Sequence, residues 1–103
     1  MKSRILGLLG LCNKAKALVY GFDAVVKKAK EKKLCLILIA NDFSFKSLKN
    51  LKEKLINVDA QIIILKSVSM CDMYHVLKKR TGVILINQVN FENGIRKLLS
   101  LNY

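Results

Sequence analysis

Few residues in this chain suggest covalent chemistry. The single histidine, His75, stands four positions after Cys71, which places the two on adjacent turns of one helix face. A zinc site would need further ligands, and only Asp72 is near in sequence, so the pair reads as incidental and no metal site is expected. The seven acids, at positions 23, 31, 42, 53, 59, 72 and 92, include no pair that suggests a general acid and base. There is no GxxxxGK[ST] phosphate loop, no GxGxxG after a strand, no HExxH and no GxSxG. Cys12, Cys35 and Cys71 are widely spaced, form no CxxC pair and lie in apolar settings, which predicts buried thiols in a reducing compartment. Neither catalysis nor a bound cofactor is expected.

Cations dominate instead. Nineteen Lys and Arg against seven acids give a formal net charge of +12 in 103 residues. An excess of that size suggests a polyanionic partner, nucleic acid or an anionic membrane surface. The plainer reading is solubility in a composition rich in Lys, Ile and Asn. The basic residues cluster. Lys14 and Lys16 close the first predicted helix, Lys27, Lys28, Lys30, Lys32 and Lys33 crowd the second, and Lys78, Lys79 and Arg80 form a third group.

The stretch "GFDAVVKKAKEKK", residues 21–33, shows both sides of the question. An acid in the first turn of a helix and lysines in its last turn are what the helix dipole favours. That accounts for Asp23 and the terminal lysines, and leaves the basic neighbouring connections unexplained. Gly21 suits a sharp strand-to-helix turn and close approach of another backbone. The helix start after it, at Phe22, offers unpaired N–H groups to an anion. Lys27 is placed to meet a guanine edge and Asp23 to accept from a base amino or imino group, with Lys14, Lys16, Lys28, Lys79 and Arg80 on phosphates. A helix start flanked by basic loops suits irregular RNA, whose unstacked bases can be read, better than a regular duplex.

The elements that must position these residues follow from periodicity. Ile5, Leu8, Leu9 and Cys12 at i, i+3, i+4, i+7 predict a first helix from Ser3 to about Ala15. The same "MKSRILGLLGLC" opens like a secretion signal, but its apolar stretch is short and no small-residue cleavage site follows, so a cytoplasmic location is expected. Residues 17–20 read as a short edge strand able to run antiparallel. A second helix spans about Phe22–Lys32 and buries Phe22, Val25, Val26 and Ala29. "LCLILIA", 34–40, is a continuous apolar run that fits a strand buried on both faces. Asp42 or Ser44 can cap a third helix that reaches Ile56 with Leu48, Leu51 and Leu55 inward. "QIIIL", 61–65, reads as a second buried strand and "GVILIN", 82–87, as a third. Between them lies a fourth helix from Val68 to about Lys79, with Met70, Met73, Tyr74 and Leu77 on one face. A last helix, about Asn90–Leu101, buries Phe91, Ile95 and Leu98. Alternating strands and helices predict one α/β domain, residues 1–103, with a mixed sheet covered on both faces.

The stretch "LGLCNKAKALVYGFDAVVKKAKEKKLCLILIANDFS" resembles the opening half of the kink-turn-binding ribosomal-protein superfamily, the L-seven-Ae/L-thirty-e group, and is closest to its short bacterial branch. The features that carry the likeness are Asn13-Lys14-Ala15-Lys16, Leu18-Val19 followed by Gly21, Asp23-Ala24-Val25-Val26-Lys27, the strand 34–39, Ala40-x-Asp42 and Ser44. It is strongest over residues 6–56 and continues more weakly to the last helix. The resemblance implies a three-layer α/β/α sandwich around a four-stranded mixed sheet. It also implies non-enzymatic binding of kink-turn-like RNA, ribosomal or regulatory, by a monomer associated with the ribosome or its assembly factors. The family's recognition segment, Gly-x-Asn-Glu-x-x-Lys, aligns with Gly21 to Lys27. Gly21 and Lys27 match, Asp23 replaces the amide-bearing Asn, and Ala24 lacks the second polar reader. The family's apolar glycine-containing loop before the last strand corresponds to "CDMYHVLKKRTG", where Gly82 remains and Lys78–Thr81 make the loop basic. General RNA affinity is therefore expected to be retained more securely than kink-turn specificity. Asp42 and Ser44 are expected to organise their loop by capping. The alternatives are a protein-interaction module of the same fold, or the RNA-binding partner of a separate RNA-modifying enzyme; membrane association is not expected.

Overall fold

The computed structural model of the protein describes residues 2–32 and 35–102. The chain runs α1 (Lys2–Lys14), β1 (Leu18–Tyr20), α2 (Phe22–Glu31), β2 (Cys35–Ala40), α3 (Phe45–Lys54), β3 (Ala60–Leu65), α4 (Met70–Leu77), β4 (Val83–Ile86) and α5 (Val89–Asn102). These are the predicted elements in the predicted order. Leu34, the first residue of the expected second strand, and Lys33 lie outside the described residues.

The four strands form one sheet in the order β1-β4-β2-β3. β2 and β3 pair in parallel, Cys35 opposite Ala60 through Ala40 opposite Leu65. β4 runs antiparallel to both its neighbours, β1 and β2. β1 is thus the antiparallel edge strand that the sequence allowed, although it is the reversal of β4 that makes the sheet mixed. Because β1, β2 and β3 share a direction, their C-terminal ends and the start of β4 meet at one end of the sheet.

Side chains alternate between the sheet's two faces with the strand period of two, and each face carries its own core. Leu36, Leu38 and Ala40 join Ile5, Leu9 and Cys12 of α1, Met73 and Leu77 of α4, and Ile95 and Leu99 of α5. Cys35, Ile37 and Ile39 face the other way, against Val25, Val26 and Ala29 of α2 and Leu51 and Leu55 of α3. The result is a three-layer α/β/α sandwich. β2 and β4 are buried on both faces throughout, which explains their unbroken apolar runs. Truncating a side chain as enclosed as Leu38 would leave a cavity in a middle layer, at a cost of about 2–5 kcal/mol.

Several predicted burials shift. β3 is an edge strand, so "QIIIL" is only partly covered: Gln61 is exposed and Ile64 is 44% exposed. In α4, Met73 and Leu77 are buried, whereas Met70 and Tyr74 face solvent. The helix turns its half-buried Val76 towards α1, close enough that a Cβ on Gly10 would lie 3.4 Å from Val76 Cγ1. Cys71 is consequently exposed, while Cys12 and Cys35 are buried as expected. In α5 the buried pair is Ile95 and Leu99, with Phe91 and Leu98 at the margin; Leu8, Phe22 and Leu48 are likewise half-buried on their helices.

Candidate nucleic-acid interface

β1 ends at Tyr20 and α2 begins two residues later, so Gly21 must reverse the chain alone. Its φ of 87° and ψ of 155° lie in a region almost closed to residues with a Cβ. A Cβ placed there would meet nothing within 4 Å, so the backbone angle, not crowding, calls for glycine. Gly21 is also the N-cap of α2, and no side chain caps that helix. The first-turn amides therefore have no side-chain acceptor at the positive end of the helix dipole.

The turn is held from the far side of the chain. The Gly21 N–H donates to Thr81 Oγ1 at 3.2 Å and to the Val83 carbonyl at 3.3 Å. Thr81, buried to 5% exposure, also donates to the Val83 carbonyl at 2.6 Å and accepts the Val83 N–H at 3.2 Å. One hydroxyl thus joins the start of α2 to the start of β4. The segment before it ends α4 at Lys78, whose left-handed φ of 60° turns the chain out of the helix. Lys79 follows, its ammonium 5.9 Å from the Tyr20 ring centroid, within cation–π range. The Tyr20 hydroxyl donates to Asn13 Oδ1. Burial raises the Tyr20 pKa, with the nearby Cys12 thiol adding to the effect, which keeps the phenol protonated as that donor.

The β2–α3 loop closes the same end. Ser44 caps α3, its Oγ accepting the Ser47 N–H at 3.3 Å. Of the two caps that the sequence offers α3, Asp42 does not serve: its Oδ1 accepts the Met70 N–H at 2.8 Å, so it secures the start of α4 instead. There it reinforces a reciprocal capping box between Ser69 and Asp72. The Ser69 N–H, and then Lys2 at 3.0 Å, hold the Asp72 carboxyl below its ordinary pKa. Gly82 lies in the middle: its carbonyl accepts the Ala40 N–H at 2.9 Å, and an added Cβ would come within 2.5 Å of the Phe43 ring. Strand ends, loops and helix starts are thereby cross-braced.

Of the residues expected to bind, Gly21, Phe22, Asp23, Asp42, Ser44, Lys79 and Arg80 lie at this end. Lys27 is one turn up α2, exposed, and like Asp23 and Arg80 it makes no ion pair among the described residues. Lys28 leans towards Glu31 at 3.7 Å. Lys14 and Lys16 flank the other end of β1, about 10 Å away by the rise of a three-residue strand. Lys16 takes a left-handed φ of 56° in the turn between α1 and β1. They connect to the candidate site through Asn13 and Tyr20, not by adjacency. Thr81 and Tyr20 are the structural residues that the sequence did not single out, and Asn13 entered there only as part of the family likeness. Nothing in the sequence distinguishes Thr81 from an ordinary loop threonine; its role arises only when Gly21 meets it.

Cys71 and His75 do approach, with Sγ 3.6 Å from Nδ1 on the exposed side of α4. Among the described residues, no group of three or more His, Cys, Asp or Glu side chains is disposed to hold a metal ion. No helix among them is long and apolar enough to cross a membrane.

No family model matches the sequence, and no curated protein does. The solved structure of a protein of unknown function from Bacillus halodurans C is similar, with a TM-score of 0.80 over 92% of this chain and 95% of that one. At 22% identity the likeness is one of fold.

Proposed function

We propose that this protein binds structured, kink-turn-like RNA, ribosomal or regulatory, without catalysing a reaction. The observation that carries the reading is the juxtaposition made by Gly21 and Thr81. It sets Lys79 and Arg80 beside an uncapped helix start that displays Asp23 and Lys27. The helix start offers backbone N–H groups for phosphate contact, and the 79–80 backbone is held next to it while the Lys79 ammonium lies over Tyr20. Asp23 and Lys27, unpaired among the described residues, stand ready for base edges. In this reading Gly21 lets the RNA backbone approach and Lys27 and Asp23 read bases. Lys79 and Arg80 neutralise phosphates, while Lys14, Lys16 and Lys28 add a peripheral positive field. Asp42 and Ser44 hold the loops in place. The protein acts in the cytoplasm as a monomer, on the ribosome or during its assembly.

The resemblance to the kink-turn-binding superfamily supports the choice of RNA. Ala24 and the basic 78–81 loop depart from that pattern in a way that favours phosphate contact over base contact. The test is binding to a kink-turn RNA and to the same RNA with its G·A pairs replaced by Watson–Crick pairs, at two salt concentrations. Preference for the intact kink-turn at both salts, lost in Lys27→Ala, supports the proposal. Equal, salt-sensitive binding to both RNAs reduces the protein to a general polyanion binder. No binding to either brings the protein-interaction reading forward.

A further inference from the structure

α3 buries Leu51 and its C-cap Leu55, yet Phe45 at its start is 82% exposed and Ile56, in the turn just past its end, is 79% exposed. Phe45 is the first residue of the helix, directly after the N-cap Ser44. Phe45, Lys49 and Lys52 fall at i, i+4 and i+7, one stripe running alongside the buried one, and Ile56 follows in the turn two residues past the last helical residue. With Leu48 and Glu53 they line an open groove of about 410 Å³. An aromatic ring held out to solvent beside a row of lysines is the arrangement that single-stranded nucleic acid uses, with bases on the ring and phosphates on the cations.

We infer that the outer groove of α3 binds an unpaired RNA strand flanking the structured element, with Phe45 stacking a base and Lys49 and Lys52 holding phosphates. This rests on the RNA-binding reading and extends it to a second contact. Charge decides the occupant. The groove has two lysines to one acid in its lining, within a chain of net charge +12, so a polyanion is attracted. A second copy would bring the same lysines face to face. Phe45 begins the helix that leaves the Asp42–Ser44 loop, so a strand emerging from the candidate interface meets the ring first. Beyond it the groove continues along the lysines to Ile56.

The test compares a kink-turn RNA without a tail, the same RNA with a tail of about six uridines on either end, and the oligouridine alone. The tail on one end is expected to tighten wild-type binding at least about fivefold, the lower range of base–aromatic stacking. Phe45→Ala should remove that gain and leave the untailed RNA bound as before. Lys49→Gln with Lys52→Gln should lower the salt slope for the tailed RNA by about 1.4, from about 0.7 per phosphate on a single strand. A tail that adds nothing, or a gain that survives Phe45→Ala, overturns the inference, while binding of the untailed RNA would leave the wider proposal standing. Phe45-dependent binding of oligouridine with no binding of the untailed kink-turn would sustain the α3 groove and sink the kink-turn reading. Preference of the groove for an acidic amphipathic peptide over tailed RNA would assign it to a protein partner and overturn the inference.

Discussion

The Thr81 hydroxyl accepts the Gly21 N–H at 3.2 Å across a sequence separation of 60 residues. That contact fixes the angle between the last residue of β1 and the first turn of α2, and it holds Lys79 and Arg80 beside them. Thr81→Val should remove it while keeping the side chain's size. Since Gly21 retains the weaker bond to the Val83 carbonyl and Val83 loses one acceptor, a cost of about 1–2 kcal/mol is expected. For a domain of this length each kcal/mol corresponds to a fall in Tm of about 4–8 °C. Thr81→Ser should recover most of it. Equal melting of wild type and the valine variant would show that the hydroxyl braces nothing.

Two glycines in this region should fail for different reasons, and a double-mutant comparison separates them. Gly21→Ala meets no neighbour but forces a Cβ onto φ 87°, a backbone cost of about 1–3 kcal/mol. Gly82→Ala drives a methyl within 2.5 Å of the Phe43 ring and 3.2 Å of Met70, an overpacking cost of about 1–3 kcal/mol. Adding Phe43→Ala should relieve Gly82→Ala by at least about 0.5 kcal/mol beyond additivity and do nothing for Gly21→Ala. Additivity in both pairs, measured by urea unfolding, would contradict the assignment.

Acid should loosen the start of α4. The Asp72 pKa is lowered, first by the Ser69 N–H and then by Lys2. Its carboxylate therefore contributes stability that is present above the unfolded value of about 3.9 and is lost as pH falls through the folded value. Tm followed from pH 6 down to pH 2 should fall less steeply in Asp72→Asn than in wild type. Parallel curves would mean that the capping box adds nothing pH-dependent.

Alkali acts on the α1 side through Cys12, whose pKa burial pushes from 9.0 up to about 11. A raised folded value means that its contribution is complete below pH 9 and disappears as pH rises towards 11. Cys12→Ala should be less stable than wild type at pH 7, with the difference narrowing by pH 10.5. A constant difference across that range would contradict the placement of the thiol in the core.

The order of elements was legible because each apolar run or helical stripe is a local signal. What the sequence could not supply was each element's neighbours. Residues 61–65 are as apolar as a central strand, and only the long-range pairing with β2 makes them an edge with Ile64 uncovered. In α4 the i, i+3, i+4, i+7 stripe through Met70 and Tyr74 is regular. The helix is instead met by α1 at Gly10, which turns Val76 inward and Cys71 outward. Residue type alone would bury Phe45, but its position at the end of α3 leaves it beyond the core. Of the candidate site, Gly21, Asp23 and Lys27 were visible as a glycine followed by a charged helix start. Thr81 and Tyr20 were not, because a hydroxyl and a ring acquire these roles only from partners that the fold delivers.

The central claim is that structured RNA docks at the end of the sheet shared by the α2 start and the 78–82 loop. Amide chemical shifts of the labelled protein, titrated with a kink-turn RNA, test it residue by residue. Changes concentrated at Gly21–Lys27 and Lys78–Gly82, with small effects at Lys14 and Lys16, are the predicted result. Changes confined to the opposite end of the sheet, or none at saturating RNA, would contradict it.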